Sequence, residues 1–66
     1  MKTTIAAFNK AIIRLQAEEL ELKRAIIELK EMGGEELLLA ELRYHVDDVK
    51  FRIKHLRATI QAMKSK

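Results

Sequence analysis

The chain has 66 residues, 48% hydrophobic and 35% charged, with a formal net charge of +3 and neither cysteine nor proline. So short a chain makes at most one small domain, and the lack of cysteine excludes disulfides and thiolate metal sites. Its longest apolar runs, Leu37 to Ala40 among them, fall far short of the roughly 18 to 20 residues that cross a bilayer. Asn9, Lys10 and Arg14 interrupt any signal-peptide core, so a soluble, cytoplasmic protein without a transmembrane segment is expected.

The spacing predicts a first helix over 3–32. Ile5, Phe8, Ile12, Leu15, Glu19, Leu22, Ile26 and Leu29 recur in steps of three and four, the mark of one seam on an α-helix. The hydroxyl of Thr3 or Thr4 can cap its free amides. Gly33 and Gly34, the only glycines, predict a turn at 33–34, because glycine ends a helix in the left-handed conformation without a Cβ penalty. A second helix is expected over 35–64. Its seam is Leu39, Leu42, Val46, Val49, Ile53, Leu56, Ile60 and Met63. Glu35 and Glu36 favour its positive end, and Lys64 and Lys66 its negative end.

Folding at the glycines pairs the two seams layer by layer. Ile5 meets Met63, Phe8 meets Ile60, Ile12 meets Leu56, Leu15 meets Ile53, and Glu19 meets Val49. Leu22 with Val46, Ile26 with Leu42 and Leu29 with Leu39 complete the set, every pair of numbers summing to 68. The expectation is one all-α domain over 1–66. It is an antiparallel, coiled-coil-like two-helix hairpin about 45 Å long at roughly 1.5 Å per residue, with those apolar residues as its core.

A second set of apolar residues lies outside the seam. Ala6, Ile13, Leu20 and Ile27 recur every seven residues, with Ala17 beside them. At about 100° per residue they stand some 130° from the seam, across the polar column Asn9, Gln16, Lys23 and Lys30. On the second helix Leu37, Tyr44, Phe51 and Ala58 recur every seven, almost opposite its seam. The stripes match in level, Ala6 with Ala58, Ile13 with Phe51, Leu20 with Tyr44 and Ile27 with Leu37, and a contiguous apolar surface is expected. Burying one large side chain is worth roughly 1.5 to 3 kcal/mol, so this surface favours a partner. These nine residues are the expected oligomer interface, and the partner is the chain itself. The polar column between the two faces favours a ring or bundle larger than a dimer. Glu19, the one charge in the seam, is expected to set register or to line a wet central space, the alternative being an exposed Glu19 in a loosely packed hairpin.

Charge is segregated along the rod. Residues 1–14 and 50–66 carry nine cations (Lys2, Lys10, Arg14, Lys50, Arg52, Lys54, Arg57, Lys64, Lys66) and no acid. Residues 15–49 carry all ten acids against Lys23, Arg24, Lys30 and Arg43, so the open end holds +9 and the remainder −6. Three readings fit: solvated charges complementing helix dipoles, an acidic turn set beside a neighbour's basic end, or a phosphate or anionic-lipid surface. In the nucleic-acid form of the last, Lys50, Lys54 and Arg57 contact phosphate while the neighbouring Phe51 stacks. Tyr44 and Phe51 fit the apolar stripe better and the net charge is modest, so nucleic acid is the alternative partner.

Little else suggests chemistry. His45 and His55 lie about 15 Å apart along the helix and cannot share a metal. Glu41, His45 and Asp48 share one helix face, which reads as a solvated polar face. Ser65, the only serine, sits at a terminus away from either histidine, so no triad is expected. No catalytic residue, metal or cofactor is expected, and the chain is not expected to be an enzyme.

The matched layers, equal helices, minimal Gly33-Gly34 loop and enrichment in Ala, Glu, Lys, Leu and Arg resemble de novo designed helical hairpins that assemble into cyclic homo-oligomers. The resemblance spans residues 3–64 and implies assembly as the function, sometimes around a central channel. Met1 to Asn9, Thr59 and the two histidines depart from that pattern. They are similar instead to natural hairpins of this size, such as phage and plasmid regulators and small secretion co-chaperones.

Overall fold

Neither helical segment contains a proline or glycine to interrupt its backbone ladder, and each presents one apolar seam. The computed structural model describes residues 2–65, with side chains from Thr4 onward. It is an all-α hairpin of α1, Lys2–Glu31, and α2, Glu36–Lys64. Because α1 begins at Lys2, Thr4 stands inside its first turn and not at the cap. The Thr3 hydroxyl, the Lys2 side chain and Lys66 lie outside the described residues. Glu35 is the cap residue of α2 in extended conformation (φ −64°, ψ 140°) with no side-chain capping bond; its carbonyl accepts from the Leu39 amide at 3.1 Å.

The turn is a Schellman closure. Gly33 takes φ +72°, the left-handed region where glycine has no Cβ to clash. Its amide donates to the Lys30 carbonyl at 3.1 Å, and the Gly34 amide donates to the Leu29 carbonyl at 2.7 Å. Two carbonyls at the end of α1 thus find donors within the turn, and the chain reverses without a longer loop.

The two helices lie against each other as a rod of 50 × 14 × 10 Å. All sixteen seam positions are buried or half-buried. Ile12, Val49, Ile53 and Ile60 form the tightest cluster, with Ile5, Phe8, Leu15, Leu22 and Leu56 packed against it. Leu15 shares a groove with Arg52 and Leu56, on either side of its expected partner Ile53, whereas Glu19 lies with Lys50 and Ile53, and Ile12 with Arg57 and Ile60, just beyond the expected Val49 and Leu56. Toward the turn the packing thins. Val46 is buried there, while Ile26, Leu29, Leu39 and Leu42 stay half-buried.

Shape and core size set the stability problem. The radius of gyration is 15.2 Å, against about 11 Å for a compact chain of this length. Among the described residues only Ile12, Val46, Val49, Ile53 and Ile60 fall to 4–7% exposure. Two helices cannot enclose a core, so most seam residues keep one side in water. Among the described residues no helix is long and apolar enough to cross a membrane.

Candidate functional site

Six large apolar side chains remain in solvent although they sit within the helices. Ile13, Leu20 and Ile27 on α1 and Leu37, Tyr44 and Phe51 on α2 are each more than half exposed, from 53% at Leu20 to 73% at Leu37. Ala6, Ala17 and Ala58 extend the stripes and are also exposed. Met32 and Leu38, beside the turn, add further exposed apolar surface. They belong to neither heptad stripe.

The stripes do not merge into one surface. Two grooves run along the rod on opposite flanks of the seam. Gln16, Glu19, Leu20 and Lys23 of α1 line one with Lys50, Ile53, Lys54 and Arg57 of α2, and Ile13 opens on its continuation beside Asn9, Arg57 and Gln61. Ala7, Lys10, Ala11, Arg14 and Leu15 line the other with Phe51, Arg52, His55 and Leu56. Ile13 and Leu20 therefore flank one groove while Phe51 leans over the other. The expected contiguous surface is replaced by two separate ridges. The physical reason is that matching in level fixes only the position along the rod. The α1 stripe stands to one side of its seam and the α2 stripe behind its own, so they point in different directions.

Both grooves are cationic toward the open end. Lys50, Lys54 and Arg57 converge with Lys23 on the first, where Glu19 is the one acid; Lys10, Arg14, Arg52 and His55 rim the second. Ala7 and Ala11 give the second groove its depth. Their sequence signal is a pair of small residues four apart beside the seam.

Glu19 is half-buried at the seam edge, bonded to Lys23 of its own helix at 2.9 Å. That bond holds its carboxyl below the usual range; desolvation opposes the shift, and the charges of Lys23 and Lys50 add to it. Pairing along α1 thus answers the cost of a lone carboxylate in the seam. The second ion pair, Arg52 to Asp48 at 3.2 Å, takes up the aspartate of the Glu41, His45, Asp48 face. Among the described residues no group of three or more His, Asp and Glu is placed to hold a metal ion. The His45 ring meets Tyr44 edge-on, with centroids 6.2 Å apart.

No known protein family, curated protein or solved structure matches this chain. The functional reading accordingly rests on the faces themselves.

Proposed function

We propose that the chain is a structural, self-assembling hairpin that forms a symmetric homo-oligomer larger than a dimer and catalyses no reaction. One observation carries this reading: six large apolar side chains form two solvent-exposed ridges that point in different directions. A single flat partner can cover one ridge, so covering both requires at least two neighbours.

Area supports the same reading. A compact monomer of 7.7 kDa exposes about 4300 Å². This hairpin exposes 5516 Å². The surplus, roughly 1200 Å², exceeds the ~800 Å² that each partner contributes to a standard interface. The resemblance to designed ring-forming hairpins points the same way.

Absolute mass by light scattering on a sizing column, at low and high salt, tests the proposal. A discrete mass of several subunits at both salts is expected, because apolar ridges do not depend on ionic strength. A monomer at both salts would overturn it.

A second reading has a specific observation in its favour, the cation-rimmed grooves of the open end. As a nucleic-acid binder the hairpin would hold RNA or DNA with an affinity falling steeply as salt rises. Lys50→Glu with Arg57→Glu would abolish that binding. Titration of a labelled oligonucleotide at two salts decides this, and no binding at low salt removes the reading.

A further inference from the structure

We infer that the second groove of one hairpin packs on the second groove of another copy, antiparallel about a two-fold axis that crosses the rod near Gln16 and Lys50. The inference rests on the self-assembly proposed above and specifies one of its interfaces. Seven residues bring an α-helix back to within about 20° of the same direction, so each flank can be followed from its lining residues. From Ala7, Ala11 and Arg14 the second flank continues along α1 through Glu18, Glu21, Ala25 and Glu28. From Arg52 and His55 it continues along α2 through His45, Asp48 and Glu41.

That flank changes sign at mid-rod. Its open half holds Lys10, Arg14, Arg52 and His55 and no acid; its turn half holds Glu18, Glu21, Glu28, Glu41 and Asp48 and no lysine or arginine. Packed face to face and antiparallel, each half meets its opposite, with α1 on α1 and α2 on α2, and the symmetry repeats every contact. A parallel pair would set base on base and acid on acid. The first flank has no such match: Lys23, Lys30, Arg43, Lys50, Arg57 and Lys64 outnumber Glu19, Glu36 and Asp47, so two first flanks repel in either direction. A first flank on a second satisfies one half of the rod and opposes the other.

Both helices choose the same axis. Reversed on itself, the α1 column sets Arg14 on Glu18, Ala11 on Glu21 and Ala7 on Ala25, where small side chains allow close approach. On α2, Arg52 of each copy meets Asp48 of the other, beside the 3.2 Å bond that joins these residues within one chain. The midpoints are Gln16 and Lys50. The charge of Lys50 reaches Glu19, less than one turn from Gln16, so one axis serves both columns. Apolar area adds to the match. Phe8, Leu15, Leu22, Leu42, Leu56 and Met63 stand on the seam edge toward this groove, and all are half-buried. Of the buried residues only Val49 shares that edge. Pairing closes this edge into a four-helix core and covers Phe51 at its rim, leaving Ile13 and Leu20 for a further neighbour.

Zero-length carbodiimide cross-linking of the native protein, read by peptide mass spectrometry, tests the pairing. Lys10, on the groove's outer rim, faces Glu21 of the other copy; within α1 the two are about 16 Å apart, so an amide between them forms only between copies. A Lys10–Glu21 link is the expected intermolecular product. An oligomer whose links join other pairs only would overturn this pairing and leave self-assembly standing. A single-subunit mass without links would remove both. Cysteine pairing reads the direction independently, since the native chain has no cysteine. Ala7→Cys combined with Ala25→Cys places two thiols about 27 Å apart within one helix, yet opposite each other between antiparallel copies. Oxidation should convert most of this variant to a covalent dimer linked 7 to 25. Links of 7 to 7 or 25 to 25 alone, or no link in a variant of native mass, would overturn the antiparallel register.

Discussion

The Gly34 amide donates to the Leu29 carbonyl at 2.7 Å, and the Leu29 side chain occupies the space where a Cβ on Gly34 would stand. The last layer of the seam and the turn therefore share one residue. Gly33 differs: its left-handed φ is what matters, and nothing lies near its missing Cβ. Gly33→Ala should cost about 1 to 2 kcal/mol through backbone strain, while Gly33→Asn, tolerant of that region, should cost less. Gly34→Ala should cost at least as much as Gly33→Ala, because Leu29 has to leave its place. Urea unfolding at one fixed chain concentration orders the three variants. A Gly34→Ala hairpin as stable as the native one would refute the close packing.

The two ridges should separate by mutation. Leu20→Gln removes the centre of the α1 ridge and Phe51→Gln the centre of the α2 ridge, and neither touches the buried cluster. Each should lower the solution mass by one assembly step, and the pair should yield single hairpins with substantial helical circular dichroism. Native mass in either single variant would strike that ridge from the interface.

The seam should respond in the opposite way. Ile53 is 6% exposed within the tight cluster. Ile53→Ala should cost about 2 to 4 kcal/mol, a large share of what so thin a core supplies. Ile13→Ala, on an exposed ridge, should leave the hairpin's own folding nearly unchanged in a non-assembling background. Equal losses at the two positions, measured by thermal unfolding, would contradict the assignment of inner and outer faces.

Glu19 makes acid stability directional. Its carboxyl is held below the ordinary value of 4.5 by Lys23 in the folded chain. A lowered folded pKa means that the pair's contribution is complete above that value and lost as the pH falls through the folded pKa. The native hairpin should therefore lose more stability than Glu19→Gln on acidification from neutral to well below 4.5. Parallel losses in the two proteins, by urea midpoint, would show that the bond adds nothing.

The hairpin was legible because a strict apolar period over thirty residues leaves one way to bury the seam. The glycine pair supplied the reversal. The helix ends were less legible, since Thr3 and Thr4 are capable caps but nothing local forbids one more turn residue before them. Glu35 is the cap of α2 and not its first helical residue. The pairing of Glu19 with Lys23 follows from a four-residue spacing present in the sequence, while the seam position of Glu19 points to burial. The relative direction of the outer stripes was not legible from level matching, because direction around the rod depends on how the two seams face each other. The cationic grooves needed the fold as well: Lys10 and Arg52, or Lys23 and Lys54, are far apart in the chain and share a wall only once it reverses.

The Schellman turn has a consequence for molecularity. Because each helix presents one continuous seam, two chains opened into continuous helices would rebuild the same packing by exchanging arms, and only the reversal would be lost. What separates the closed hairpin from such a domain-swapped pair is the left-handed Gly33 and the close approach of Gly34 to Leu29. Two residues without side chains thus decide whether a seam is satisfied by its own chain or by another.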